Sequence, residues 1–191
     1  MRNHWLYFMN VTQLEISGCY LIDLPKFEDL RGAFIKTFHP NHFEGTEISE
    51  FNLQEEFYSV SKKNVLRGLH FQEPPAAHNK IVTCLEGKVL DFFVDIRKSS
   101  STYGKVVTVE LSSEQPQLVY LPQGLAHGFL TLSEYATLLY KTDHVYAPEL
   151  DKGILWSSIG LELDVIELSE LIISERDSAF PTLTDYESPF E

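Results

Sequence analysis

The chain has little cysteine, and it has no long hydrophobic run. Its 191 residues include two cysteines, Cys19 and Cys84, and neither lies in a CxxC or other metal-ligand spacing. This excludes a cysteine-rich scaffold and favours a reduced, cytoplasmic protein, although a single Cys19–Cys84 disulfide stays open. Because no apolar run approaches the roughly 18–20 residues of a membrane span, we expect no membrane partner.

Positive charge is also scarce. The chain has 15 Lys and Arg residues against 28 Asp and Glu residues, which gives a formal net charge of −13. Such a charge argues against nucleic acid or an anionic membrane surface as the main partner. An anionic small molecule would therefore need a local basic pocket on an acidic protein.

Helical periodicity is weak, there is no internal repeat, and strand patterns dominate. Short runs rich in β-branched and aromatic residues cover residues 81–85, 88–96, 106–111, 117–121 and 135–141. Gly87 separates the first two runs and predicts a hairpin with a tight turn. Short strands at this spacing indicate an all-β sandwich or barrel of antiparallel strands.

The length suits one domain with extensions. We expect residues 1–10 to be an optional leader, 11–180 a single domain, and 181–191 an acidic tail that lies on the surface or frays. Short helices are predicted near residues 40–43 and 168–172. Ser174 is a candidate N-cap for a helical turn over 175–179.

One predicted strand, residues 66–72, has the sequence Leu-Arg-Gly-Leu-His-Phe-Gln. Side-chain alternation places Arg67 and His70 on opposite faces, so both can face one site only if the strand bends. Gly68 between them permits a close backbone approach. Histidine exchanges protons near neutral pH, and arginine favours an anionic ligand.

Taken singly, the candidate residues are ordinary. A lone histidine such as His70 is more often a core or surface residue, and His127 between small residues is only a weak indication of a pocket. Tyr140 ends an apolar run, where packing is the common role, and Asp177 lies in a charged stretch typical of a solvated face.

Their order along the chain is more specific. After 66–72 come Lys-Ile-Val at 80–82, Val-Asp-Ile-Arg-Lys-Ser at 94–99, Thr-Tyr-Gly at 102–104, Pro-Gln-Gly-Leu-Ala-His-Gly-Phe at 122–129 and Leu-Tyr-Lys at 139–141. From residue 27 to Asp177, the sequence resembles the dTDP-4-dehydrorhamnose 3,5-epimerase family. The resemblance implies a cupin-like jelly-roll barrel with short peripheral helices, a homodimer, and no metal or other cofactor.

The resemblance also implies a reaction. It is inversion of C3 and C5 in a dTDP-4-keto-6-deoxyhexose, which converts dTDP-4-dehydro-6-deoxy-D-glucose into dTDP-4-dehydro-L-rhamnose. His70 is implied as the base, paired with Asp177, and Tyr140 as the acid on the other face of the sugar. Lys80 is implied to stabilise the enolate oxygen, close to His127.

This assignment agrees with the chemistry, because a proton beside a ketone needs a base and a group that holds the enolate charge. The family's substrate-binding positions match Arg31, Arg67 and Arg176 for the diphosphate, Phe27 and Tyr146 for stacking on the base, and Glu149 for the nucleotide. Phe27 and Arg31 are implied to reach the partner subunit's pocket.

The sequence departs from the family pattern before residue 59. The family usually has a Gln-(Asp or Glu)-Asn stretch that touches substrate, and here the matching residues are Glu55, Glu56 and Phe57. Glu55 and Phe57 are therefore substrate-binding candidates by position, whereas a shift of one residue would place Gln54 in the pocket instead. Lys36 stands where many members have glutamate. The exact sugar and the number of inverted centres stay open.

Three other functions compete with this interpretation. A single-centre epimerase acting at C3 or C5 would keep the same residues. A metal-dependent cupin needs a His-x-His pair, but Phe71 and Gln72 follow His70, and His78 is eight residues on. A non-catalytic sugar-binding module would not need the set formed by His70, Lys80, Tyr140 and Asp177.

Overall fold

The protein is described by a computed structural model that covers residues 10–39, 43 and 48–191. In this part of the chain thirteen strands pair antiparallel throughout. They are β1 (Val11–Gln13), β2 (Tyr20–Asp23), β3 (Lys26–Asp29), β4 (Gly32–Ile35), β5 (Glu55–Lys62), β6 (Leu66–Gln72), β7 (Lys80–Glu86), β8 (Lys88–Asp95), β9 (Val106–Ser112), β10 (Gln117–Leu121), β11 (Leu125–Thr131), β12 (Tyr135–Thr142) and β13 (Asp151–Gly153).

Two sheets stack face to face. One has the order β1-β2-β10-β7-β12-β5 and the other β13-β6-β11-β8-β9, while β3 and β4 form a separate two-stranded hairpin. Alternate side chains from both inner faces form a buried cluster that includes Val82, Leu138, Phe93 and Phe129. Alternation along each strand therefore builds one core between the sheets, as expected for an all-β sandwich.

Parts of the outer faces of both sheets are also covered. Ile22, Leu118 and Phe43 belong to a buried cluster that includes outer-face residues of the six-stranded sheet. On the five-stranded sheet, Phe92 and Val94 pack with residues from beyond β13, including Ile154, Ile159, Leu163 and Phe190. Because both faces of the central strands are buried, β7, β8 and β11 are nearly continuous apolar runs rather than strictly alternating ones.

The strand predictions are confirmed for all five runs and for residues 66–72, with ends shifted by two residues or fewer. The predicted hairpin at Gly87 is wrong. Gly87 does make a turn with φ of +78°, but β7 pairs with β10 and β12, whereas β8 pairs with β9 and β11. The turn carries the chain from one sheet to the other, so burial of two apolar strands on opposite sides of the core outweighs local pairing.

The helix predictions have mixed outcomes. The segment 168–172 contains a short 3₁₀ helix, Leu168–Glu170, and two others are Pro148–Leu150 and Trp156–Ser158. Helix α1 (Glu175–Ser178) begins after Ser174, whose hydroxyl accepts a 3.0 Å hydrogen bond from the Asp177 amide, as predicted. The helix expected near 40–43 lies outside the described residues except for Phe43, and the leader does so except for Asn10.

The expectation that the last residues lie on the surface or fray is wrong for part of the tail. Ser188 and Phe190 are buried, and Phe190 packs in the cluster on the outer face of the five-stranded sheet. The Ser188 hydroxyl donates to the Ile96 carbonyl, and the Tyr186 hydroxyl donates to Glu73 at 2.7 Å. The acidic composition hid these apolar and hydroxyl anchors, which alternate with exposed carboxylates.

Both cysteines are buried free thiols, so the Cys19–Cys84 disulfide that the sequence left open is not formed. No helix among the described residues is long and apolar enough to cross a membrane. The hairpin of β3 and β4 stands out from the body, and seven of its eight strand residues are exposed. Phe27 and Phe34 pair across it with ring centroids 6.4 Å apart.

Candidate active site

A cavity of about 330 Å³ opens between the two sheets. One side is built from the inner faces of β5, β7 and β12, and the other from β6 and β11. Eight of the thirteen predicted site residues line it: Glu55, Phe57, Arg67, His70, Lys80, His127, Tyr140 and Tyr146. Residues far apart in sequence thus meet because stacked sheets bring their inner faces together.

His70 and Asp177 form a hydrogen-bonded pair at the wall of the cavity. His70 Nε2 donates to Asp177 Oδ1 at 2.9 Å, and the Gly68 amide donates to Asp177 Oδ2 at 2.9 Å. Burial raises the pKa of Asp177, but these two hydrogen bonds, together with the charge of His70 and the hydrogen bond with Ser174, outweigh it and hold that pKa below the ordinary value. The carboxylate is therefore ionised and leaves Nδ1 of His70 as the basic nitrogen.

A bulge in β6 explains how Arg67 and His70 reach the same cavity. His127 pairs with His70, and Phe129 pairs with Arg67, so two steps along β11 match three steps along β6. The extra residue in β6 reverses the alternation of side chains between Arg67 and His70. Gly68 within the bulge has φ of +114°, a conformation that side chains with a Cβ rarely adopt. The bend in β6 that Arg67 and His70 need in order to face one site is therefore present.

His127 has its own carboxylate partner. His127 Nε2 donates to Asp91 Oδ2 at 2.7 Å, and both residues are buried. Burial lowers the pKa of His127, and the charge and hydrogen bond of Asp91 only partly oppose this shift. The second oxygen, Asp91 Oδ1, has no hydrogen-bond partner in the described part of the chain. The hydrogen bond to Asp91 therefore fixes the orientation of the His127 ring, which lines the cavity.

Tyr140 faces the histidines from the other sheet. Its ring is stacked on Phe57, with centroids 4.9 Å apart and planes inclined by 15°, and the ring of His127 lies edge-on to it at 6.3 Å. The hydroxyl lies 3.3 Å from Ser59 Oγ. Burial raises the pKa of Tyr140 above its ordinary value of 10.0. The phenol is thus protonated over the physiological range and can serve as a proton donor.

Lys80 supplies positive charge inside the cavity. Burial lowers its pKa to about 8, while Asp151 and Asp91 favour the charged form. Its neighbour His78 is kept neutral, because burial, Lys80 and His144 lower the pKa of His78 to about 3. Lys80 is therefore the ammonium group best placed to act on an anion in this cavity.

The structure also distinguishes between the two registers left open for β5. Glu55 lines the cavity, and its Oε2 accepts a 2.6 Å hydrogen bond from the Tyr146 amide. Gln54 is exposed, and its backbone N–H donates a hydrogen bond to the Thr142 carbonyl. It is not a residue that lines the cavity. Glu55, rather than Gln54, therefore faces the cavity.

Arg176 and Glu149 lie near the mouth of the cavity. Arg176 makes a 2.7 Å ion pair with Asp151, a lining residue, and its guanidinium lies 5.3 Å above the Phe180 ring. Glu149 sits in the 3₁₀ helix Pro148–Leu150, and its backbone carbonyl accepts from Lys152. Glu149 is not one of the described lining residues.

Phe27 and Arg31 are placed apart from this cavity within one chain. Both lie on the exposed hairpin of β3 and β4, where Arg31 Nε donates to Asp29 at 3.0 Å. Neither is among the cavity-lining residues of the described chain. Their implied role in a partner subunit's pocket stays a prediction.

Sequence reasoning missed two residues that support the histidines. Asp91 interrupts an apolar strand, and a carboxylate in such a run is costly unless it has a partner, so this signal was available. Phe180 packs edge-on against His70 at 5.6 Å, in space that Gly153 leaves open. No local pattern marks Phe180, because its contact depends on the path of the chain after β13. In residues 10–39, 43 and 48–191, no three His, Cys, Asp or Glu side chains are grouped to hold a metal ion.

A stacked antiparallel sandwich with a histidine–aspartate pair, a lysine and a buried phenol around one cavity defines an acid–base enzyme of the cupin-like jelly-roll class. Residues 13–185 match the sequence model of the family described as dTDP-4-dehydrorhamnose 3,5-epimerase. The chain belongs to the dTDP-4-dehydrorhamnose 3,5-epimerase family. The fold class and the family resemblance predicted from the sequence are thereby confirmed, as is the prediction of an epimerase.

Individual relatives resemble the chain over almost its full length. The dTDP-4-dehydrorhamnose 3,5-epimerase of Salmonella typhimurium is 42% identical over 177 residues, covering 92% of this chain and 96% of that protein. The crystal structure of dTDP-6-deoxy-D-glucose-3,5-epimerase from Legionella pneumophila Philadelphia 1, in complex with dTDP-4-keto-L-rhamnose, has a TM-score of 0.88 at 32% identity. The match covers 96% of this chain and 98% of the Legionella pneumophila chain.

A third relative acts at one centre. The crystal structure of a 3'-monoepimerase from Streptomyces bikiniensis in complex with dTDP-quinovose has a TM-score of 0.83 at 32% identity. The match covers 90% of this chain and 86% of the Streptomyces bikiniensis chain. The fold is thus shared by enzymes named for inversion at two centres and at one.

Proposed function

We propose that this enzyme inverts C3 and C5 of dTDP-4-dehydro-6-deoxy-D-glucose and releases dTDP-4-dehydro-L-rhamnose, using only the acid–base chemistry of its side chains. The observation that carries the proposal is the arrangement of His70 and Tyr140 on opposite sheets around one cavity. Inversion requires proton removal from one face of the carbon and proton delivery to the other.

In the proposed mechanism, Nδ1 of His70 removes the proton beside the C4 ketone. Asp177 holds the ring through Nε2 and stabilises the imidazolium that forms, which is the role of a carboxylate in hydrolytic triads. The C–H electron pair forms a carbon–carbon double bond to C4 of the sugar. The electrons of the C4 carbonyl bond move onto its oxygen, which leaves an enolate. The same step operates at C3 and at C5, since both carbons adjoin the ketone.

The enolate charge is proposed to lie near Lys80, with His127 beside it. A cation in a dry cavity stabilises such a charge far more than in water, and a preorganised donor lowers the barrier without reorganisation. The phenol of Tyr140 then donates its proton to the opposite face of the carbon. The resulting phenolate regains a proton from solvent, and His70 loses one, so the cycle is balanced.

The substrate's diphosphate is proposed to bind to Arg67 and Arg176, with Tyr146 against the nucleotide base and Glu149 as a nucleotide contact. The cavity thereby combines basic groups on an acidic protein, as an anionic ligand requires. Glu55 and Phe57 occupy the positions of the family's usual amides. These two residues favour a second candidate function, inversion at C3 or C5 alone. A carboxylate and an aromatic ring give the sugar's surroundings a different shape and charge from those that amides would give.

We also propose a homodimer, in which Phe27 and Arg31 reach the partner subunit's cavity. The hairpin that carries them projects from the body, and Leu30 and Phe34 on it are exposed as well. Such apolar surface is typical of an interface. Sedimentation of the wild-type protein and of Phe34→Ser tests this: a dimer is expected, weakened by the substitution, and a wild-type monomer would contradict it.

A cytoplasmic location is proposed because both cysteines are free thiols and nucleotide sugars are cytoplasmic metabolites in the implied pathway. The thiols' oxidation state in cells, measured by alkylation with a mass-shifting reagent, tests this. Reduced thiols are expected, and a stable disulfide would contradict the proposal.

Proton NMR in deuterated water with dTDP-4-dehydro-6-deoxy-D-glucose tests the function. We expect loss of the C3 and C5 proton signals and appearance of the L-rhamno product. Inversion at one carbon alone would replace the proposal with the single-centre reaction. His70→Ala is expected to abolish exchange at both carbons, and undiminished exchange in that variant would rule out the mechanism.

A further inference from the structure

Phe57 and Tyr140 form a cross-strand aromatic pair beside the cavity. They are register partners on β5 and β12, and their rings are nearly parallel at 4.9 Å. The side chain of Phe57 lines the cavity but has no hydrogen-bonding group to offer a substrate. Its ring is instead packed on the phenol.

Tyr140 is held mainly through its ring. One face is covered by Phe57, and the edge-on contact with His127 comes from the other sheet. The hydroxyl's contact with Ser59 Oγ, at 3.3 Å, is long for two hydroxyl groups. The position of the phenol oxygen therefore depends on the two aromatic neighbours more than on a strong hydrogen bond.

We propose that Phe57 is a positioning residue for Tyr140, which fixes the phenol against His127 so that it protonates the enolate on the face opposite His70. The inference rests on the proposed function, because it assigns Tyr140 the role of acid. Phe57 acts through Tyr140 and exchanges no proton itself. It orients the acid instead of the substrate.

This role has a signature that a substrate contact lacks. Once His70 has formed the enolate, a proton returns either from His70, which gives exchange with retention, or from Tyr140, which gives inversion. Weaker substrate binding slows both outcomes together and leaves their ratio unchanged. A misdirected phenol slows inversion alone, so the ratio of exchange to inversion rises.

The test measures this ratio by NMR in deuterated water for Phe57→Leu, which keeps apolar bulk without a ring, and for Phe57→Asn, which restores the family's amide. We expect the ratio to rise about tenfold in both, since a misplacement of about 1 Å costs up to on the order of 100-fold. Phe57→Tyr keeps the ring and is expected to restore the wild-type ratio. Tyr135→Leu, at an exposed aromatic on the same strand as Tyr140, is the matched control and is expected to leave it unchanged.

A ratio within twofold of wild type in both the Leu and Asn variants would overturn the proposal, as would failure of Phe57→Tyr to restore it. If the wild-type enzyme neither exchanges nor inverts, the proposed function fails, and the ring mobility of Tyr140 decides the positioning role independently. With labelled tyrosine, ring flips of Tyr140 are expected to be faster in Phe57→Leu than in wild type. Equal flip rates would overturn the positioning role by themselves.

Discussion

Asp177 bridges two parts of β6: its Oδ1 accepts from His70 Nε2, and its Oδ2 accepts from the amide of Gly68, both at 2.9 Å. The carboxylate and the histidine are 107 residues apart in sequence. With both oxygens engaged, the carboxylate cannot rotate away from the imidazole. Asp177, which lies on helix α1, thereby orients the imidazole of the proposed base.

Substitution of Asp177 by Asn is expected to slow proton exchange at C3 and C5 by about 10² to 10⁴-fold. The amide cannot stabilise the imidazolium and favours the wrong tautomer of His70. Deuterium incorporation under saturating substrate measures the effect. Glu175→Gln, on the exposed side of the same helix, is the control and should exchange at the wild-type rate. A loss below threefold in Asp177→Asn would contradict the assigned partnership.

The depressed pKa of Asp177 also links stability to pH. Because the folded pKa lies below the ordinary 3.8, the ionised pair contributes stability that is fully present above pH 3.8. This contribution is lost as the pH falls through the lower, folded pKa. Urea unfolding of wild type and Asp177→Asn on both sides of that window is expected to show the larger acid-induced loss in wild type. Equal losses would show that the pair is not ionised in the folded protein.

Lys80 predicts an alkaline limit on catalysis. Burial lowers its pKa to about 8, so the ammonium is present below that pH and is lost above it. We expect kcat/KM to fall above pH 8 as the enolate loses its cation. Lys80→Arg, which stays charged, should move this limb to higher pH even if its rate is lower. Lys80→Met should lose about 10² to 10³-fold throughout, and a flat profile in wild type would contradict the role.

His78 is expected to remain neutral where an ordinary histidine gains a proton. Burial and the nearby Lys80 and His144 lower its pKa to about 3 from 6.5. The NMR signals of its imidazole should therefore not titrate between about pH 8 and pH 5. The urea-unfolded chain is the control, in which the same signals should titrate near 6.5. A midpoint near 6.5 in the folded protein would refute the prediction.

Gly68 should tolerate no side chain. A Cβ there would lie 2.6 Å from the His127 carbonyl oxygen, and φ of +114° is unfavourable for alanine. Gly68→Ala is expected to lower the free energy of unfolding by about 3 kcal/mol or more, from strain and overpacking together. Gly104→Ala, at φ of +75° with nothing within 4 Å of its Cβ, should lose only about 1–2 kcal/mol. Equal losses would show that close approach to β11 is unimportant.

Local sequence patterns predicted much of the secondary structure. Runs such as residues 117–121 became strands because β-branched and aromatic side chains fit a pleated, buried surface. The Ser174 cap was also predictable, since a hydroxyl three residues before an amide closes a helical turn by itself. The turn at Gly87 was recognised, yet its strands joined different sheets, because pairing partners are chosen by burial across the whole core.

The sequence by itself determined the all-β class, the strand segments and the chemical types at the site, because these follow from local alternation, turn residues and ordered motifs. Only the tertiary structure decided that Asp91 supports His127, that Phe57 lies on Tyr140 and that Phe190 anchors the tail. Each of these contacts joins residues that are distant along the chain or belong to different strands. Their energies arise from the pairing of distant strands within each sheet and from packing on a sheet's outer face, which no short window of sequence encodes.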